Sequence, residues 1–194
     1  KDPNTSTKKE VPEKVNRIVA SFGGYDSRNL MKFFLDNLFN HDALIENNVL
    51  VELLVGSESR KKIDSWKDQA KRVSIKYDCN INLEVRPANF LERLANADLA
   101  ILSGGLTIFD AVSLGVPSIA LPQYDHQLKT IENLTKKMVV KSGSHGINLD
   151  EIYFSKIFNE IISSKELRTL LKKVGPTLID GKGSESGTKI LTFY

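Results

Sequence analysis

The stretch of this 194-residue chain best suited to chemistry is Ser103-Gly104-Gly105-Leu106-Thr107-Ile108-Phe109-Asp110, which sets paired glycines, a hydroxyl and a carboxylate close together. Glycine leaves no Cβ between the backbone N–H groups and a ligand. At a strand-to-helix junction those groups converge where negative charge is favoured. The natural occupant is a phosphate. Thr107 and Asp110 lie three residues apart, so on a helix they share a face, a hydroxyl suited to phosphate beside a carboxylate suited to a ribose diol. The same residues also read as a tight turn followed by a solvated first-turn acid. A second pair, Gly23-Gly24, follows the apolar run Arg17-Ile18-Val19-Ala20-Ser21-Phe22. Asp26 or Ser27 is placed to cap a helix running to about Asn40. In an open parallel sheet, ligands bind in the crevice beyond the strand C-termini. Two glycine-opened helix starts on that edge suit a diphosphate.

The elements that must position these loops alternate regularly. Arg17–Phe22, Val49–Val55, Ile81–Val85, Leu99–Leu102 and Ser118–Leu121 read as strands. Helical patterns follow them from Glu58 to about Tyr77, from Asn89 to Ala97, after Gly105, and from about Gln127 to Met138. Five βα units predict an α/β fold: a Rossmann-like parallel sheet with helices on both faces. Downstream, the sequence predicts a short extended piece at Val139-Val140, a helix capped by Asp150, another capped by Ser163 or Ser164, and a break at Gly175-Pro176. A glycine-rich turn and a last short helix close the chain. Residues 1–14 are polar and carry Pro3 and Pro12, so they read as a linker ahead of one domain over 15–194, and the chain is expected to be part of something longer.

Composition removes several classes of function. Net charge is +3 with acids and bases interspersed, and no basic stripe interleaves with aromatics, so no nucleic-acid partner is implied. Cys79 is the only cysteine, which excludes an internal disulfide and a cysteine-rich zinc site; a reduced cytoplasm fits. No apolar run approaches the roughly 20 residues of a transmembrane helix. No metal or cofactor is expected. Gly181-Lys182-Gly183-Ser184-Glu185-Ser186-Gly187 imitates a dinucleotide loop, but its spacing is one residue too long and no βαβ unit can form around it. Gly175 through Gly181-Lys182 imitates a Walker loop, yet five residues intervene instead of four, and Gly183 stands where Ser or Thr should bind magnesium.

The order of motifs resembles the C-terminal, donor-binding domain of GT-B glycosyltransferases over most of the chain, from about Val15 to Ile190. The motifs are Ser21-Phe22-Gly23-Gly24, then Ala97-Asp98-Leu99-Ala100-Ile101-Leu102-Ser103-Gly104-Gly105-Leu106-Thr107, then Ala111 through Leu114-Gly115-Val116-Pro117, then Asp125-His126-Gln127, and Asp180-Gly181-Lys182-Gly183. The pattern is similar to the UDP-N-acetylglucosamine transferase of peptidoglycan synthesis. It is more similar still to the spore-coat polysaccharide proteins and the nucleotide-sugar hydrolase of pseudaminic acid synthesis.

This resemblance implies one half of a GT-B fold that binds a UDP-sugar. Gly23 and Gly24 would approach the diphosphate, while Ser103, Gly104, Gly105 and Thr107 would bind it at the helix start. Asp110 would take the ribose hydroxyls, where the transferases usually carry the longer Glu. Arg86-Pro87-Ala88-Asn89-Phe90-Leu91 matches the loop whose backbone pairs with uracil, which brings in Asn89, Phe90 and Leu91; Phe90 and Leu91 read equally as core. Gln127, with His126 a further candidate, would face the sugar. In this family the catalytic base lies in a separate N-terminal Rossmann domain, and nothing before Val15 could form one. His126 is the local candidate for a base. The expected function is therefore donor binding for sugar transfer or nucleotide-sugar hydrolysis in surface-polysaccharide or nonulosonic acid biosynthesis. The missing half would be an N-terminal domain or a partner subunit. The alternative is a non-catalytic nucleotide-sugar-binding subunit.

Overall fold

The computed structural model describes residues 10–38 and 49–179. Its strands are β1 (Arg17–Ser21), β2 (Leu50–Val55), β3 (Asn80–Val85), β4 (Leu99–Ser103), β5 (Ser118–Leu121) and β6 (Lys141–Ser142). They form one sheet in the order β3-β2-β1-β4-β5-β6, every neighbouring pair parallel. The order reverses between β1 and β4, so the loops after these two strands diverge around a crevice.

The central strands are mostly apolar because helices cover both faces of the sheet. Along β1, Ile18 and Ala20 join one apolar cluster and Val19 the other, and all three are fully buried. The first cluster is completed by α1 (Leu30–Asn37), α2 (Arg60–Tyr77) and α6 (Glu151–Ser163). Its aromatic centre is Phe34, Phe154 and Phe158, with the last two rings stacked at 5.5 Å. The second cluster is completed by α3 (Phe90–Ala95), α4 (Thr107–Ser113) and α5 (Asp125–Lys136). The last helix among the described residues, α7 (Lys165–Leu178), crosses α4 at glycine distance: a Cβ on Gly175 would lie 2.5 Å from the carbonyl oxygen of Val112.

Several expected boundaries hold and others move. Asp150 and Ser164 cap their helices as expected, accepting the amides of Tyr153 and Leu167 at 2.9 and 3.0 Å. The sheet gains a sixth strand, since the extended piece lies at Lys141-Ser142 and pairs with β5 instead of ending at Val140. Gly175-Pro176 does not break the helix. Pro176 lies in the last turn of α7, where its missing N–H removes a single bond, and the amide of Ile179 still reaches Gly175 at 3.2 Å. The helix expected from about Gln127 starts two residues earlier, so Asp125-His126-Gln127 is the first turn of α5. The helix expected from Asp26 or Ser27 starts later, at Leu30, and is described to Asn37. Residues 1–9, Asn40, the Asp180-Gly181-Lys182-Gly183 match and the glycine-rich turn with its last helix fall outside the described residues.

Candidate functional site

A cleft of about 290 Å³ opens at the C-terminal edge of the sheet, lined by Gly23 and Gly24 after β1, Gly56 after β2, Arg86, Phe90, and Thr107 at the start of α4. It gathers four segments far apart in sequence, and four of the expected site residues (Gly23, Gly24, Phe90 and Thr107) share its wall. A wider groove of about 590 Å³ runs along α2 between Arg60, Asp64, Asp68 and Arg72, a solvated charged face without convergent loops.

The glycines have separate reasons. Gly23 turns the chain at φ +80, a conformation that L side chains rarely adopt. Gly56 permits close approach of two loops, because a Cβ there would lie 2.6 Å from both the carbonyl oxygen of Gly23 and the Cα of Gly24. Gly104 faces the interior, where a Cβ would meet Ile131 Cδ1 at 2.7 Å. Its missing side chain lets α5 pack against the loop. Gly24 faces open space, and Gly105 has room for a Cβ at ordinary contact distance. Nothing lies within 4 Å of a Cβ on Gly24, and the nearest atoms to one on Gly105 are Gln127 Nε2 at 3.7 Å and Ser103 Oγ at 3.8 Å.

The two junctions differ in their free donors. After Gly105, the amides of Ile108 and Phe109 turn back to Gly105 and Leu106, at 3.4 and 2.9 Å. Those of Gly105, Leu106 and Thr107 meet no acceptor among the described residues. Buried Ser103 places its Oγ beside the positions of both Gly23 and Gly105. The α1 start is different. Asp26 accepts the amides of Leu30 and Met31 at 2.8 and 2.9 Å, so the chain's own carboxylate fills the place an anion would take. Burial pushes the Asp26 carboxyl above its ordinary pKa, and the two amides and Lys62 pull it back. The expectation of a second helix start open to diphosphate is thereby corrected: Gly23 and Gly24 can offer backbone, but α1 cannot offer its end.

Gln123 and Gln127 hold the crevice in shape. Gln123 Nε2 donates to the carbonyl of Phe22 at 2.5 Å, and its Oε1 accepts from the amide of Ser27 at 3.0 Å. The amide of Gln123 donates to Gln127 Oε1 at 2.9 Å, which leaves Gln127 Nε2 turned towards Gly105. His126 is exposed and stacks on Tyr124 with the rings 8° from parallel. Asp110 is exposed and its carboxylate has no partner among the described residues; partial desolvation raises its pKa. Phe90 is half-buried against the second apolar cluster while it lines the cleft, whereas Leu91 is 53% exposed and is not core. Asn89 is exposed, with its Oδ1 accepting from Arg93 Nε at 2.9 Å.

Sequence reasoning passed over Gly56 and Gln123 as site residues and named Arg86 only as the start of the base-loop match. Gly56 had a signal, being a third glycine after a strand. Arg86 has φ +50 and donates to Ser57 Oγ at 2.9 Å, a conformation that residue type alone does not announce. Among the described residues no cluster of three or more His, Cys, Asp or Glu is placed to hold a metal, and no helix is long and apolar enough to cross a membrane.

No protein-family model matches the chain. It is 34% identical over 99 residues to the spore coat polysaccharide biosynthesis protein SpsG of Bacillus subtilis, a match covering 50% of this chain and 29% of that protein. Among solved structures, MurG of Acinetobacter baumannii superposes with a TM-score of 0.71 at 14% identity, over 93% of this chain and 50% of that one. The C-terminal CMP-Kdo binding domain of WaaA from the same organism gives 0.54 at 11% identity, covering 85% of this chain and 89% of that one. The calicheamicin glycosyltransferase CalG4 gives 0.57 at 12% identity, over 95% of this chain and 43% of that one. The chain thus spans about half or less of SpsG, MurG and CalG4 but most of the WaaA domain. It has the Rossmann-like fold of a GT-B glycosyltransferase half-domain and is similar in sequence to a polysaccharide-biosynthesis protein.

Proposed function

We propose that this chain is the donor-binding half of a GT-B enzyme of surface-polysaccharide or nonulosonic acid biosynthesis, and that it holds a UDP-sugar across the β1/β4 crevice. One observation carries the reading: residues from three separate segments, each tied to nucleotide binding from sequence, line a single cleft at the point where strand order reverses. In this reading the diphosphate lies against Gly23, Gly24, Ser103, Gly105 and Thr107, with the open amides after Ser103 as donors. Asn89, Phe90 and Leu91 border the base, Asp110 takes the ribose hydroxyls, and His126 and Gln127 stand on the sugar side. The bound diphosphate is positioned as a leaving group, and its negative charge meets preorganised donors instead of water. The base or acceptor comes from an N-terminal domain or partner subunit, so the intact protein either transfers the sugar or hydrolyses its bond to diphosphate. Residues 15–194 form the binding unit, and 1–14 lead into it; Val15 is already buried in the core.

Calorimetric titration with UDP tests this. The isolated chain should bind in the high micromolar range or weaker, since half the cleft is supplied from elsewhere. Asp110→Ala should cost about 1–3 kcal/mol, the usual loss for a charge-assisted hydrogen bond. Equal affinity in both proteins removes Asp110 from the site.

A further inference from the structure

The loop assigned to the base is held by a group of charges that the binding reading leaves unexplained. Glu52 lies in the middle of β2, and its side chain is only 6% exposed. It accepts from Arg17 Nε at 2.6 Å and pairs with Arg93 of α3 at 3.0 Å. Arg93 then divides its guanidinium among three acceptors. One end pairs with Glu52, the other with Glu84 on β3, and Nε donates to Asn89 Oδ1 at 2.9 Å.

A planar guanidinium with its donors fixed in a fork sets direction as well as distance, which a point charge on a flexible stem cannot do. The helix it holds has six residues, Phe90–Ala95, anchored to the apolar core chiefly by buried Leu94. So short a helix has little intrinsic stability, and its orientation must come from tertiary contacts. Burying a carboxylate between two guanidiniums is a poor way to stabilise a fold when apolar side chains could fill the space. It is a good way to fix one geometry. The geometry fixed here is that of Asn89 and Phe90, at one end of the cleft; the glycine loops lie outside this network.

We propose that Arg93, braced by Glu52 and Glu84, is a positioning residue for base recognition: it sets the Asn89–Phe90 loop against the nucleobase and has no part in holding the diphosphate. This rests on the nucleotide-site reading above. The test compares UDP with inorganic pyrophosphate, which lacks the base, by NMR titration of the whole chain and its variants. Arg93→Lys keeps the charge and loses the fork; Glu84→Gln trims only the outer arm and keeps the buried pair with Glu52. Arg93→Lys should weaken UDP by at least about tenfold, and pyrophosphate affinity should stay within about twofold. Glu84→Gln should move the UDP to pyrophosphate ratio the same way by a smaller factor. If the two ligands weaken together, or neither does while the melting temperature falls, Arg93 is structural only and the proposal is overturned. Should Arg93→Lys fail to fold, the ratio in Glu84→Gln decides alone, and an unchanged ratio is fatal. Failure of wild type to bind either ligand defeats the nucleotide-site reading itself, and this role with it.

Discussion

Gly105→Ala separates what the fold requires from what a ligand requires. The added methyl would sit 3.7 Å from Gln127 Nε2 and 3.8 Å from Ser103 Oγ, ordinary van der Waals distances, and Gly105 does not lie in the left-handed region. Nothing in the folded chain therefore demands glycine here. Alanine also narrows the unfolded ensemble, so stability should stay level or rise by up to about 1 kcal/mol. In the proposed site the methyl would crowd a phosphate held by the amides of Gly105, Leu106 and Thr107. A phosphate pushed even a few tenths of an ångström from those donors loses much of a charge-assisted hydrogen bond, on the order of 1.5–3 kcal/mol, or more than tenfold in affinity. Denaturant unfolding gives the first quantity and calorimetry with UDP the second. Gly56→Ala is the contrast. Its Cβ would come 2.6 Å from Gly23 and Gly24 backbone atoms, so it should destabilise the chain by about 2 kcal/mol or more before any ligand is present. Unchanged UDP affinity in a stable Gly105→Ala chain would refute the diphosphate assignment at this junction.

Arg168 is fully buried and donates to the carbonyls of Ile161, Ile162, Pro12 and Glu13 at 2.6–2.9 Å, so Arg168→Met should cost about 3 kcal/mol or more in urea unfolding. A loss under about 1 kcal/mol contradicts that accounting. Burial, with Asp78 beside it, pushes the Cys79 thiol up to about 11. Iodoacetamide should therefore label the native chain slowly at pH 8 and the urea-unfolded chain quickly; equal rates would show an accessible thiolate. The backbone donors at Ser103–Thr107 should hold diphosphate without a cation, so UDP affinity should change little when magnesium is exchanged for EDTA at matched ionic strength. Loss on chelation and recovery with manganese would assign the anion to a metal instead.

Five strands were legible, the central ones because a sheet buried on both faces leaves nearly continuous apolar runs, as in Leu99-Ala100-Ile101-Leu102. The sixth strand escaped because Lys141-Ser142 pairs through two residues of ordinary polarity, and pairing is a tertiary fact. The start of α1 was misplaced for a related reason: Asp26 does cap the helix, but from four residues ahead of Leu30 across Asn29 at φ +55, and composition cannot reveal that detour. Gly104 and Gly105 look alike in sequence. Only the position of Ile131, brought in from α5, makes one an interior contact and the other an open approach. Glu52 drew no notice within its strand, because its guanidinium partners come from β1 and α3.

The central claim is that a nucleoside diphosphate lies in the β1/β4 crevice, and protein-observed NMR with UDP addresses it most directly. Saturable shifts should concentrate on the amides of Gly23, Gly24, Phe90, Gly105, Leu106 and Thr107. The charged face of α2 around Asp64 and Asp68 should stay still. Saturation with the largest shifts on that face, or no saturable shift at the crevice, would contradict the account.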